Sequence, residues 1–409
     1  MRGLAQMDER IVKIERVVFG GKGLSRDLEK VTFVPFTLPD EMVRIRLTKQ
    51  HADYQEAEAI SIEKPNPDRV APDCAYFGIC GGCQMSHATY EKQVQIKRQI
   101  LEETLRRNQI QFPRIETHTE KPFGYRHRAQ FKYDARNRRL GFFAGGSNQV
   151  VDIHECLCLT PGLNQLLKSL RSTFCSQEIP EVKEIECYET DRGHTAAFFQ
   201  PALPEAFRKQ FSIHERSDLT ISFRRFHYPV HPKIFLQVNP GMWRAMIQEV
   251  ESHYAGKNLP SALELYCGAG FFTAPLSAFF DHITACEENS EAIQFAKENH
   301  GLTNVNWIRA KAEEYVFPAR VQAIILDPPR SGLHKNVQRQ LLERKPEWIT
   351  YISCDCTTFS RDLTKLEPFY DIRRIAMMDL FPQTYHFEII ALLEKRKEPL
   401  QNLINRAVR

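Results

Sequence analysis

The chain has no uninterrupted apolar run near the roughly 18 residues that a membrane helix requires, which excludes a spanning segment of that kind. Its start, Met1-Arg-Gly-Leu-Ala-Gln-Met-Asp-Glu-Arg10, lacks the continuous apolar stretch of a secretion signal. A cytoplasmic protein, with no membrane partner, is therefore expected. Fixed-period repeats and low-complexity tracts are missing as well, which excludes solenoids and long disordered arms. There is little net charge: 55 Lys and Arg stand against 51 Asp and Glu, for a formal +4. That balance by itself points to no partner.

The distribution of charge is more informative. Residues 1–64 carry 11 basic and 11 acidic side chains, whereas residues 92–139 carry 13 basic and 5 acidic ones. Positive charge gathered in one stretch is the footprint of a nucleic-acid binder. A solvated helix face is the competing explanation, because Glu102 and Glu103 lie among Lys97, Arg98, Arg106 and Arg107.

At 409 residues the chain has room for two or three domains. Residues 1–64 read as a small β-barrel, with strands at Ile11–Ile14, Val31–Val34 and Val43–Arg46 and turns at Gly20–Gly23 and Leu38–Glu41. Small barrels of this kind commonly bind oligonucleotides. A proline-rich linker, Lys64–Pro72, follows. Residues 65–235 read as a central α+β domain, with a helix from about Thr89 to Asn108 that buries Val94, Leu101 and Leu105. Residues 236–409 alternate strands with helices, the signature of an α/β, doubly wound and mostly parallel sheet. Strands are expected at Ala262–Tyr266, Ile283–Cys286, Val305–Ile308, Ala323–Leu326, Trp348–Ser353 and Ile389–Leu393, and helices at Thr273–Phe279 and Glu291–Asn299.

Three sets of residues carry chemistry. The first is Glu264-Leu-Tyr-Cys-Gly-Ala-Gly-Phe-Phe-Thr273, a strand entering a glycine turn and then a helix. Gly268 and Gly270 allow a ligand close to the backbone. Glu287 ends the next strand, where an acid meets ribose hydroxyls, and Asp327 ends a later one in Asp327-Pro-Pro-Arg-Ser-Gly332. The third glycine of the dinucleotide fingerprint is absent, so S-adenosylmethionine (SAM), which has no pyrophosphate, fits better than NAD. Packing alone is the plainer role for such glycines.

The second set is Cys74-x5-Cys80-Gly-Gly-Cys83, three of eleven cysteines within ten residues. Gly81 and Gly82 permit a tight loop, and Cys156 or Cys158 supplies a fourth thiolate. An all-cysteine set with one distant member suits an iron–sulfur cluster better than zinc, which more often takes paired knuckles or histidine. Third, Cys354 in Tyr351-Ile-Ser-Cys-Asp-Cys356 stands at the carboxyl edge of the sheet, where a thiolate can attack an electron-poor carbon. Cys356 is a second candidate, while Cys267 and Cys286 read as core. Glu388, just before the last apolar strand, can take a proton at the same edge, although a glutamate there is ordinarily solvated.

Six motifs occur together and in order: Cys-x5-Cys-Gly-Gly-Cys, Phe235-Leu-Gln-Val-Asn239, Leu265-Tyr-Cys-Gly-Ala-Gly270, Asp327-Pro-Pro-Arg-Ser-Gly332, Ser353-Cys-Asp-Cys-Thr-Thr-Phe-Ser-Arg-Asp362 and Phe381-Pro-Gln-Thr-Tyr-His-Phe-Glu388. Over nearly the whole chain this resembles the RNA (uracil-5-)-methyltransferases. The resemblance implies that residues 10–63 form a TRAM domain and that Cys74, Cys80, Cys83 and Cys156 hold a [4Fe–4S] cluster. It further implies SAM contacts from Gln237, Tyr266, Glu287 and Asp327, a Cys354 nucleophile and a Glu388 proton acceptor.

By analogy with family members that have both barrel and cluster, 23S rRNA is the expected partner. The alternatives are tRNA, a catalytically silent RNA-binding protein, or a small-molecule methyltransferase with a zinc knuckle. No DNA partner is expected, and a monomer is. Four positions depart from the family pattern. Asp355-Cys356 replaces Asn-Pro and is expected to raise the Cys354 pKa; Phe271 replaces a cofactor-contacting Asn; Lys311 replaces a polar or acidic residue near adenine.

Overall fold

A computed structural model describes residues 9–176, 182–203, 219–257 and 259–397. Six strands open the chain: β1 (Glu9–Lys13), β2 (Arg16–Val17), β3 (Lys22–Ser25), β4 (Val31–Pro35), β5 (Met42–Gln50) and β6 (Tyr54–Lys64). They form one sheet in the order β1-β5-β6-β4-β3-β2. Alternating residues of β4 and β5 bury Val34, Val43 and Ile45 against Val12, Ile14 and Ala57. Three register shifts between β5 and β6 bend this long pair, as bulges do.

The proline-rich linker is not a free spacer. The Arg69 guanidinium grips the buried Glu41 carboxylate at 2.5 and 2.8 Å, and the Asn66 amide donates to the Pro39 carbonyl at 2.8 Å. Burial works against ionisation of Glu41, but the bonds from Arg69 and two backbone amides outweigh it and hold the carboxyl below its ordinary value.

Helix α1 (Tyr90–Arg107) is capped by Thr89, whose side chain accepts from the Lys92 amide. Its buried face consists of Gln93, Ile96, Lys97, Ile100, Leu101 and Leu105, so the expected apolar stripe is right at Leu101 and Leu105 and displaced from Val94 to its neighbours. The strand β7 (Glu116–His118) crosses to the edge of the catalytic sheet. A five-stranded sheet follows, ordered β10-β9-β8-β11-β12 from β8 (Arg128–Asp134), β9 (Arg139–Phe143), β10 (Val150–Asp152), β11 (Glu184–Glu189) and β12 (Thr195–Gln200). Helix α2 (Pro161–Phe174) covers it through Leu163, Leu167, Leu170 and Phe174. The hairpin β13 (Thr220–Phe223) and β14 (Phe226–Pro229) and helix α3 (Trp243–Ser252) lead into the last sheet.

That sheet has eight strands: β15 (Leu259–Leu265), β16 (Phe280–Glu287), β17 (Val305–Arg309), β18 (Ala323–Leu326), β19 (Trp348–Ser353), β20 (Tyr370–Met378) and β21 (Glu388–Lys395), with β7 at the edge. The order is β17-β16-β15-β18-β19-β21-β20-β7, parallel from β17 to β19, with β21 antiparallel to both β19 and β20. The central strands are rich in apolar residues because both faces are covered: all four residues of β18 and the first six of β21, Glu388 followed by Ile-Ile-Ala-Leu-Leu, are buried.

Helices α4 (Thr273–Leu276), α5 (Ser290–His300), α6 (Lys335–Arg344) and α7 (Cys356–Leu366) connect the strands. The helix after the glycine turn is shorter than expected, ending at Leu276 rather than Phe279. Among the described residues no helix is long and apolar enough to cross a membrane.

Candidate active site and cysteine cavity

The carboxyl ends of β15, β16, β18 and β19 converge on one cavity of about 1010 Å³. Gln237, Tyr266, Glu287, Asp327, Cys354 and Glu388, the six cofactor and catalytic residues expected from sequence, all line it. Sheet register explains the last two. β19 and β21 run antiparallel with Ser353 opposite Ile389; Cys354 directly follows β19 and Glu388 opens β21, so both stand at the same end of the pair.

The cofactor side is built from the glycine turn. Tyr266 adopts a left-handed backbone (φ 64°), a sparsely populated state for a tyrosine that is typical of ligand sites. Gly268 (φ 55°) brings its amide 3.0 Å from one Glu287 oxygen, while the other accepts from the Asn289 amide at 2.9 Å. Gln237 is buried, and its side-chain carbonyl oxygen has no protein partner. A buried polar atom beside such a cavity is what a hydrogen-bonding ligand satisfies. These residues fit an adenosyl cofactor.

The reacting side is dominated by burial. Glu388 is 5 % exposed, against the solvated role usual before a strand. Burial first, and then the neighbouring Asp327, push its carboxyl well above the ordinary range, while Arg330 opposes the shift. Asp327 is pushed up to about 7 by burial and by Glu287. The Cys354 thiol is pushed up to about 12 by burial, Glu388 and Asp327, against the pull of Arg330. Any positive charge entering the cavity lowers all three.

The departures resolve differently from expectation. Asp355 is not among the main causes of the Cys354 shift; its carboxylate caps α7, accepting from the Thr357 and Thr358 amides at 2.9 Å each. Phe271 does not face the cofactor cavity. It is buried, with its ring 5.3 Å from Trp243 and 5.6 Å from Tyr228. Lys311 does line the cavity and pairs with Glu314 at 3.6 Å. Cys356 drops out as a second nucleophile: it is fully buried against the Thr104 hydroxyl of α1.

Sequence reasoning missed two members of this site. Arg330 was read only as part of a motif, yet its charge offsets the acids around Cys354. Glu264, fully buried and bonded to the Thr273 hydroxyl at 2.7 Å, is pushed up to about 8 by burial and by Asp327, which makes it a neutral brace beneath the turn at pH 7.

The cysteines line a second cavity, of about 530 Å³, where Cys74, Cys80, Cys83, Cys156 and Cys158 meet. Gly81 is closely packed there: a Cβ would lie 3.1 Å from the Phe143 carbonyl, to which its own amide donates at 2.9 Å. Gly82 is less constrained and donates its amide to the Cys80 sulfur at 3.4 Å. Asn164 pins the Cys156 backbone with bonds of 2.9 and 3.0 Å. Cys158 is buried, its sulfur 3.8 Å from that of Cys83.

Among the described residues, no three cysteine sulfurs lie within 4.8 Å of one another. The set that does come so close is Glu116, His118 and Glu249, and there Arg374 already bridges Glu249 and Glu116 at 2.5 and 2.8 Å.

The basic stretch is partly spent inside the protein. Lys97 is fully buried, and Arg98 and Arg106 both pair with Glu102. Arg107, Arg136 and Arg138 are exposed.

A glycine turn, an acid at the end of the next strand and a strand-end cavity on a mostly parallel sheet are the features of a SAM-dependent methyltransferase fold. Comparison narrows the class. A tRNA (uracil-5-)-methyltransferase family profile matches residues 209–396. An uncharacterized RNA methyltransferase of Aquifex aeolicus is 33% identical, covering 93% of this chain and 97% of its own. The 23S rRNA (uracil(1939)-C(5))-methyltransferase RlmD of Marinomonas posidonica is 30% identical, covering 94% and 95%. A solved Pyrococcus abyssi tRNA (uracil-54, C5)-methyltransferase, in complex with S-adenosyl-L-homocysteine, superposes with a TM-score of 0.75 at 22% identity, over 94% of this chain and 99% of that one. The chain belongs to the RNA uracil-5-methyltransferase family.

Proposed function

We propose that this enzyme methylates carbon 5 of a uridine in 23S rRNA through a covalent Cys354 adduct. The observation that carries the mechanism is that Cys354 and Glu388 line one cavity, close enough for Glu388 to act on the Cys354 thiol, together with Gln237, Tyr266, Glu287 and Asp327. SAM, held by those four residues, supplies a methyl group on a sulfonium that needs no further activation.

Carbon 5 of uracil is too weak a nucleophile alone. Addition of the Cys354 thiolate to carbon 6 makes it electron-rich, and it then takes the methyl. Glu388 removes the proton left on carbon 5, and elimination breaks the carbon 6–sulfur bond and frees Cys354 as the thiolate. Arg330 favours the thiolate that begins the sequence. A base stacked in a helix hides carbon 6, so the target nucleotide is flipped into the cavity.

The substrate reading rests on the relatives named as 23S rRNA enzymes, whose lengths this chain matches nearly end to end. The N-terminal sheet, read as a TRAM domain, and exposed cations such as Arg107, Arg136 and Arg138 hold the flanking RNA. The protein acts in the cytoplasm as a monomer. Mass mapping of 5-methyluridine in 23S rRNA and tRNA, from cells with and without the gene, tests the substrate. Loss confined to tRNA would refute the 23S assignment.

The cysteine cavity is read as a [4Fe–4S] site held by Cys74, Cys80, Cys83 and Cys156. The gathering of five cysteines around one cavity, with no histidine among its lining residues, supports an all-thiolate cluster over zinc. Iron analysis and visible absorbance of anaerobically purified protein test this; a colourless zinc protein would overturn it.

A further inference from the structure

The loop that delivers Glu388 is fastened to the cysteine loop. Cys83 is followed by Gln84 and Met85, and the amides of both donate to one acceptor, the Gln383 carbonyl, at 3.0 and 2.9 Å. Tyr125, which lines the cysteine cavity, donates its hydroxyl to the Pro382 carbonyl at 2.9 Å. On the other side α1 completes the grip. Gln93 and Gln383 exchange two bonds, of 2.9 and 3.1 Å, and the Lys97 ammonium reaches Asp379 at 2.6 Å and the Phe381 carbonyl at 3.0 Å.

Gln383 is 3 % exposed and adopts φ 70°, a left-handed state that glutamine holds only where its surroundings impose it. Five residues later, with Phe387 buried between, the chain reaches Glu388. None of these bonds is needed to complete a strand or helix. Their common effect is to set where the segment 379–388 lies.

We propose that Gln383 is a positioning residue that ties the placement of Glu388 to the order of the cysteine loop, so that the group bound by the cysteines governs release of the methylated RNA. This rests on the cluster reading of that cavity. The bound group takes no part in the chemistry; it fixes Cys83, and the amides beside Cys83 fix Gln383. Displacing a catalytic group by an ångström costs about 10²-fold. The loss falls on proton removal by Glu388 rather than on thiolate addition, because Cys354 is carried by β19.

The test uses full-length, iron-loaded enzyme, the same enzyme stripped of iron by chelation under reducing conditions, and loaded Gln383→Asn, which tolerates a left-handed backbone but shortens the reach to Gln93. Loaded Gln93→Met serves as a second variant. Hydrogen exchange of the peptide spanning 379–388 is measured in each, and the protein–RNA adduct formed with SAM and an unmodified transcript is followed over time. The stripped enzyme and both variants are expected to exchange faster in that peptide. They are expected to form the adduct no more slowly than the loaded wild type and to resolve it about 10²-fold more slowly.

Unchanged exchange and unchanged resolution in the stripped enzyme overturn the coupling while leaving the cluster reading intact. A protein that never contains iron overturns both. Loss of adduct formation in parallel with resolution contradicts a positioning role specific to Glu388. Failure of the covalent mechanism itself would appear separately, as absence of any adduct in the loaded wild type.

Discussion

The environment of Cys354 makes a quantitative demand on its chemistry. Burial and the acids Glu388 and Asp327 push the thiol from an ordinary 9.0 up to about 12, while the Arg330 guanidinium pulls it down. At pH 8 only about one molecule in 10⁴ then carries the thiolate, against roughly a tenth for a free cysteine at that ordinary value. A nearby opposite charge typically shifts an ionisation by about one unit or more, so Arg330→Gln is expected to lower the thiolate population about tenfold further. The assay is alkylation of Cys354 by iodoacetamide between pH 7 and 10.5, read by mass spectrometry of the peptide. The wild-type rate should climb about tenfold per pH unit with no plateau in that range, and the Arg330→Gln rate should run parallel about tenfold below it. A plateau near pH 9, or a variant within twofold of wild type, would refute this account of the site's electrostatics.

Other outcomes follow from groups away from the reacting sulfur. Lys97 and Asp379 are both fully buried and paired at 2.6 Å, so Lys97→Met or Asp379→Leu alone should cost about 3–5 kcal/mol in urea unfolding. The double variant should recover most of that loss; additive losses would contradict a direct pair. Glu264, pushed up to about 8, keeps its proton in the folded state between pH 4.5 and 8 while the unfolded chain releases it. Stability therefore falls with rising pH over that window, and Glu264→Gln should flatten the fall; identical urea midpoints for wild type and variant at pH 5 and pH 8 would count against it. Cys156→Ser should abolish visible absorbance and bound iron while Cys158→Ser keeps both, and the reverse pattern would move the fourth ligand to Cys158.

Much of the fold was legible where one signal dominates. The strands Ala323–Leu326 and Trp348–Ser353 fall within their expected limits because strands buried on both faces are predominantly apolar. The residues of the catalytic cavity were legible because strand ends, turns and motifs mark them locally. What stayed hidden depends on partners far along the chain. Lys97 reads as one more cation of a basic stretch until Asp379 arrives from 282 positions away. Gln383 reads as motif filler until Gln93 and the cysteine loop close on it. β7 leaves the region read as central and completes the catalytic sheet beside β20, a pairing that no local pattern announces. Asp355 looks like a charge set against the nucleophile, yet it is a helix cap, because the two amides it serves belong to the next turn.

The decisive measurement is a trapping experiment with an RNA transcript in which the target uridine bears fluorine at carbon 5, incubated with enzyme and methyl donor. Fluorine in place of the departing proton leaves Glu388 nothing to remove, so a denaturation-resistant protein–RNA species should accumulate, with the modified peptide containing Cys354, and Cys354→Ala should give none. A link through any other residue, or full methylation by Cys354→Ala, would contradict the covalent mechanism.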